Sequence, residues 1–314
     1  MKKISIVIPM YFEELVVEEC YNRVTEVLKN LKDYEYEIIF VNDGSKDKTL
    51  EILEKIAEND KKVKVISFSR NFGHQAAVTA GLKETTGDAV VIIDADMQDP
   101  PELIPEMLKL WEDGNEVIYG QRKKRKSESA FKLITAKMFY KTLKLLSDVD
   151  IPQDTGDFRF VDRKVVDKMN KLPEHNKFLR GLWSWLGYKQ YAFEYEREER
   201  FAGKTKYPLK KMFKLASDGI ISFSSKPIKL VGLLGIVSLV ISFIIMLYAL
   251  ISYAFNLNNL SAGWTSLMCA ITFFAGVQLL SLWIISEYIG RIYDETKGRP
   301  QYIIDRKINA DDKK

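Results

Sequence analysis

Four apolar runs dominate the first third of the chain. ISIVIPM, YEIIFVND, VKVISFS and AVVIIDAD are near-continuous stretches of β-branched and aromatic residues, the pattern of strands covered on both faces. Between them ELVVEECYNRVTEVLKNL, KTLEILEKIAEND and HQAAVTAGLKETTG repeat their apolar residues near a 3.6 spacing and read as helices. This alternation from Ile4 to about Gly120 predicts an α/β domain. Its sheet should be doubly wound and mainly parallel, with right-handed crossovers. In such a sheet ligands gather at the carboxyl ends of the strands. The last expected core strand ends at GQRKKRK.

The pattern changes after Lys229. From Leu230 through Ser286 no residue is charged, and NLNNLSAG divides the stretch into segments of about 230–255 and 264–286. At about 1.5 Å per helical residue, either can span a hydrocarbon core of roughly 30 Å. Two transmembrane helices joined by a polar hairpin are expected. Lys204, Lys206, Lys210, Lys211, Lys214, Lys226 and Lys229 precede the pair, and Arg291, Lys297 and Arg299 follow it. Positive flanks and an uncharged hairpin put both termini on the cytoplasmic side of a cell membrane. Just before the pair, YPLKKMFKLASDGIISF spaces Leu209, Met212, Phe213, Ala216, Ile220 and Phe223 helically, with its lysines off that stripe. It reads as an interfacial helix on an anionic lipid bilayer.

Composition narrows the partners. Lys and Arg number 47 against 43 Asp and Glu, so the net charge is only +4; this excludes general nucleic-acid binding as the expected task. Cys20 and Cys269 lie far apart in unlike surroundings, which predicts free thiols in a reducing compartment. The opening MKKISIVIPMYFEE has a short apolar run containing Pro9 and reaches Glu13 and Glu14, so it reads as a first strand and not a signal peptide.

Chemistry is concentrated where the strands end. Asp94 and Asp96, spaced D-x-D behind the fourth run, can converge on a hard divalent cation, and Gln98 can add a neutral oxygen. VIPMYFEE and VNDGSKDKT end the first two runs in polar groups as well. His74 falls at an expected helix start, where capping or core packing is the commoner role, and His175 lies in a polar loop with no chemical task expected.

VIPMYFEE, VNDGSKDKT, SRNFGHQAAVTAGL, IDADMQDPPE, QDTGDFRFVDR and FLRGLWSWLGYKQ together resemble glycosyltransferase family 2, in its polyprenyl-phosphate glycosyltransferase branch. The resemblance runs over essentially the whole chain. Phe12 departs from it where the family commonly has Asn, and Asn42 where Asp is frequent. It implies a GT-A fold and an inverting hexosyltransferase. The sugar would pass from a nucleotide-diphosphate donor, a UDP-sugar by expectation, to polyprenyl phosphate such as undecaprenyl phosphate, for cell-envelope glycosylation. By the same likeness Pro9, Tyr11, Glu13, Asp43 and Asp94 would bind the nucleotide. Asp94, Asp96 and Gln98 would hold Mg²⁺ or Mn²⁺, and Asp157 would be the catalytic carboxylate. Arg122, Arg125, Arg159, Arg200, Lys204 and Lys206 are the expected acceptor-phosphate residues. A phosphate monoester with a second pKa near about 6 is already mostly a dianion at neutral pH, so Asp157 is expected to position acceptor or metal more than to remove a proton.

Residues 1–203 are expected to form the catalytic domain, 204–229 a basic juxtamembrane segment, 230–290 the membrane pair and 291–314 a cytoplasmic tail. A homo-oligomer is compatible with the sequence. Two rival readings are a processive polysaccharide synthase, which would normally carry more membrane helices, and a catalytically silent membrane scaffold, which would have no reason to keep these carboxylates.

Overall fold

The structure is a computed structural model and describes residues 1–123, 152, 155–198, 223–224, 226–255 and 263–310. Strands β1 (Lys2–Met10), β2 (Tyr34–Asn42), β3 (Val63–Phe68) and β4 (Ala89–Ile92) are linked by helices α1 (Val17–Lys29), α2 (Thr49–Asn59) and α3 (His74–Glu84). Then come α4 (Ile104–Glu112), β5 (Val117–Arg122), β6 (Thr155–Asp162), α5 (Arg163–Lys171), α6 (Leu179–Trp185) and β7 (Gln190–Tyr195). The apolar helices α7 (Lys226–Ala254) and α8 (Trp264–Thr296) follow, and β8 (Ile304–Ile308) ends the series. All eight strands form one sheet in the order β7-β5-β6-β4-β1-β2-β3-β8. The first four strands are mutually parallel and β5 and β7 pair in parallel, whereas β6 and β8 run antiparallel to their neighbours.

Successive strand side chains serve opposite faces, which is why the strands read as unbroken apolar runs. Ile4, Ile6, Ile8, Ile38, Phe40 and Val91 pack under Val24 and Leu28 of α1, Leu53 of α2 and Met107 and Trp111 of α4. On the other face Val7, Val90 and Ile92 meet Val78 and Leu82 of α3, Val166 and Met169 of α5 and Trp183 of α6. A mainly parallel sheet between two helical layers is thus the outcome expected of a GT-A domain.

Two expectations need correction. Val117–Arg122 is not the last core strand, because β6, β7 and β8 complete the sheet. Nor is 291–314 a simple tail. Helix α8 continues to Thr296, and the chain then returns so that Tyr302 stacks on Phe68 at 4.9 Å and β8 pairs with β3. Five residues, IDRKI, carry no run long enough to read as a strand, and only the neighbouring edge of β3 makes them one.

Helices α7 and α8 are long and apolar enough to cross a membrane. Leu233, Ile236, Leu239, Phe243, Leu279 and Trp283 stand exposed on them, a surface too apolar to be stable against water. The C-terminal end of α8 touches the α/β domain, where the Glu295 carboxylate accepts the backbone N–H of His175 at 2.8 Å. The interfacial-helix expectation for 207–223 falls, apart from Phe223, outside the described residues.

Candidate active site

The strand ends collect on one edge of the sheet. Strand β4 stops at Ile92, level with Val7, while β1 runs on to Met10. Pro9, which has no N–H to give, therefore sits beyond the end of its β4 partner, where the two strands part to open a crevice. Past β1, Tyr11 is partly exposed and Phe12 adopts φ 55°, with its amide donating to Ser45 Oγ at 3.0 Å. The Glu13 amide donates to Thr49 Oγ1 at 3.0 Å, tying this turn to the start of α2.

Asp43, just past β2, is 3% exposed and organises the loop after β3. Its Oδ1 accepts the Phe72 amide at 2.6 Å, and its Oδ2 accepts the Gly73 amide at 2.9 Å and Asn71 Nδ2 at 2.7 Å. Burial raises its pKa, and those backbone donors oppose the rise. With two lone pairs per oxygen, Oδ1 keeps capacity for one further donor. Gly44 follows at φ 66°, and a Cβ there would lie 2.4 Å from the Arg70 carbonyl carbon, so the close passage of the two loops requires glycine at this point.

Behind β4 the backbone turns through Met97, a buried residue at φ 56°, and the Gln98 amide closes the turn on Asp96 Oδ1 at 3.2 Å. Asp94 and Asp96 stand on either side of the small buried Ala95. Gln98 bonds to Glu198 O through its amide nitrogen at 3.3 Å, so the carbonyl oxygen is not the bonded end. Burial, together with the charges of Asp157, Asp99 and Asp96, pushes the Asp94 carboxyl up to about 6 against the pull of His74.

Strand β6 enters the same edge from the opposite direction, which sets Asp157 beyond the end of β4. Asp157 is 6% exposed and has three cationic neighbours, of which Arg159, with Nη1 3.9 Å from Oδ1, is the most distant. Arg180 of α6 donates from Nε to Oδ1 at 2.9 Å and from Nη2 to Oδ2 at 3.2 Å, and His74 Nε2 lies 2.9 Å from Oδ2. The same His74 nitrogen is 3.8 Å from Asp94 Oδ1. Burial would raise the pKa of Asp157, but the Arg180 charge and the His74 contact overcome it and hold the carboxyl well below the usual carboxylate range. Burial works against a charged imidazole too, yet the Asp157 bond and the Asp94 charge raise His74 to about 9. The expected capping or packing role for His74 is therefore replaced by a bridge between two acidic strand ends. Neither His74 nor Arg180 was singled out for this task by local spacing, because the partners lie 83 and 23 residues from Asp157.

Of the expected acceptor residues, Arg122 ends β5 with its side chain 29% exposed, 3.7 Å from Asp99. Arg159 is buried, at 2% exposure, and donates from Nη1 to Gly156 O at 2.9 Å; it supports the turn before Asp157 and offers no surface to an acceptor. Arg125, Arg200, Lys204 and Lys206 lie outside the described residues. His175, expected to do nothing chemical, meets α8 through its backbone.

The profile described as "Glycosyl transferase family 2" matches residues 5–169. A glycosyltransferase of Bacillus subtilis (strain 168) is 53% identical over 310 residues, covering 99% of this chain and 95% of its own length. The bactoprenol glucosyl transferase of Shigella phage SfX is 42% identical over 302 residues, 96% of this chain and 98% of that one. A prophage bactoprenol glucosyl transferase homolog of Escherichia coli (strain K12) is 41% identical, covering 97% and 99%.

Proposed function

This chain belongs to glycosyl transferase family 2 and is a glycosyltransferase, and we propose that it moves a hexose from a nucleotide-diphosphate sugar, a UDP-sugar, to polyprenyl phosphate at a membrane. One observation carries the reading. In strand order across a single sheet edge, the Asp43 loop, the Asp94–Asp96 pair, Asp157 and Arg122 follow one another, in a chain that also holds two exposed apolar helices. The relatives named for bactoprenol transfer span nearly the whole chain and support the lipid acceptor.

The carboxylate pair fits a hard divalent ion, Mg²⁺ or Mn²⁺. Among the described residues no three His, Cys, Asp or Glu side chains form a closed metal site. Two carboxylates are what such ions need when substrate phosphates complete the shell. Asp94, pushed up to about 6 by burial and then by its acidic neighbours, is a carboxylate that a bound cation would favour in its charged form. Asp94, Asp96 and the oxygen of Gln98 would hold the ion, which when bound neutralises charge on the departing diphosphate.

The rest is done by the chain. An acceptor phosphate oxygen attacks the anomeric carbon as the bond to the nucleoside diphosphate breaks, through a state with positive charge on the sugar ring. Asp157, fixed as an anion by Arg180 and His74, stabilises that charge and orients the acceptor. It has no need to take a proton, since the acceptor is already ionised. Helices α7 and α8 anchor the domain in the bilayer where the acceptor resides.

The test is direct. Full-length protein in neutral detergent is incubated with undecaprenyl phosphate, a panel of nucleotide sugars and Mg²⁺ or Mn²⁺, and the lipid fraction is read by mass. A polyprenyl-phosphate hexose is the expected product. Absence of any lipid-linked sugar across the panel would overturn the reading.

A further inference from the structure

Strands β5 and β7 are parallel neighbours, and both end on the edge that carries the carboxylates. Arg122 closes β5, Tyr195 closes β7, and Arg197 follows two residues later. Asp99 lies among them with no exposed surface. Its Oδ1 accepts the Tyr195 hydroxyl and stands 3.7 Å from Arg122 Nη2 and 3.6 Å from Arg197 Nε. Among the described residues its Oδ2 has no hydrogen-bond partner, and neither has Arg197 Nε. A buried carboxylate oxygen left unsatisfied is expensive, so this arrangement asks for a purpose.

Both arginine contacts are longer than the roughly 2.8 Å of a charge-assisted hydrogen bond. The guanidinium groups are gathered around Asp99 without being consumed by it. Asp99 offsets only one of the two positive charges, and the side chains of Arg122 and Arg197 are still 29% and 26% exposed. Arg197 Nη2 also stands 4.0 Å from Asp96 Oδ2, at the border of the carboxylate pair. Gly156 belongs to the same construction. A Cβ on it would come within 2.5 Å of Arg122 Nη2, so the guanidinium passes directly over that backbone.

We propose that Arg197 is a second phosphate-binding arginine for the lipid acceptor, paired with Arg122 and held in register by the buried Asp99. The proposal rests on the transferase reading above and adds a residue to it. Sheet order decides which substrate the pair serves. The Asp43 loop follows β2, and β1, β4 and β6 separate β2 from β5. The two arginines therefore flank the Asp94–Asp96 pair on the side away from Asp43, where the group opposite the donor must enter. Two guanidinium forks present paired, planar N–H donors to phosphate oxygens, which a lysine cannot reproduce. Asp99 is a positioning residue here, since it is sealed from the cleft.

The experiment varies nucleotide sugar and polyprenyl phosphate separately in neutral detergent, with full-length protein. Arg197→Ala should raise the apparent KM for polyprenyl phosphate about tenfold or more and leave that for the nucleotide sugar within about twofold of wild type. Arg197→Lys should fall between the two. Asp99→Asn should reproduce the acceptor defect through both arginines, and if that variant does not fold, Tyr195→Phe reports the same loosening with a smaller rise. An equal or larger rise for the nucleotide sugar would reassign Arg197 to the donor, and no rise for either substrate would make it a surface residue; both results overturn the proposal. Wild-type protein that makes no lipid-linked sugar is read separately, and that result defeats the transferase reading together with the inference.

Discussion

Asp157 holds a negative charge between Arg180 and His74, so its removal leaves two half-buried cations facing each other. Asp157→Asn should lower turnover by about a hundredfold, in the range of a lost electrostatic stabiliser, and should also destabilise the fold by roughly 3 kcal/mol. A transfer assay read beside thermal unfolding in detergent separates the two effects. Asp96→Ala is the contrasting case, because its side chain is 13% exposed at the cleft. It should abolish transfer while the melting temperature stays within a few degrees, and excess chelator should silence the wild type equally. Phe12 shows how a departure from the family pattern becomes intelligible. Its φ of 55° is one that Asn adopts readily and a bulky side chain does not. Phe12→Asn should therefore raise stability by about 1 kcal/mol in denaturant unfolding. At this scale spacing made the Asp94–Asp96 pair legible, and the family resemblance pointed to Asp43 and Asp157. The sequence was silent on Arg180, Asp99 and Arg197 and offered His74 only a capping or packing role, because these roles come from ionic contacts between distant segments.

The first four strands and the helices between them could be read from apolar runs because their burial on both faces leaves no polar residue to break the pattern. Strand β6 was harder to see, since TGDFRFVD alternates charge with apolar residues as a solvated strand would, yet Asp157 and Arg159 are both buried. At the other end of the strands Glu37 offers a second buried charge. It is held by Lys64 at 2.8 Å, Ser5 at 2.6 Å, the Thr86 amide at 2.7 Å and Lys3 at 2.9 Å. Burial alone would raise its pKa, but these partners lower it from 4.5 to about 2. Its contribution is therefore present above the ordinary carboxylate pKa and lost as pH falls through that lower value. Glu37→Gln should cost roughly 3 kcal/mol at neutral pH and flatten the acid limb of a stability–pH curve. Strand β8 supports the proposed donor side, because the Ser69 amide donates to Ile303 O at 3.1 Å just before the loop that binds Asp43. Removing residues 301–314 should raise the KM for nucleotide sugar severalfold while leaving that for the lipid acceptor nearer wild type.

For the whole molecule, the pairing of β8 with β3 carries a consequence of parity. The segment before α7 and the segment after α8 belong to one hydrogen-bonded sheet, and a sheet cannot straddle a bilayer. Whatever the helices do between those points, the chain must return to the side it left, so the number of crossings is even. The positive flanks bear on which side that is; the sheet itself forbids a single crossing. A reporter placed between α7 and α8 and one fused beyond β8 should accordingly be protected from protease on opposite faces of sealed vesicles.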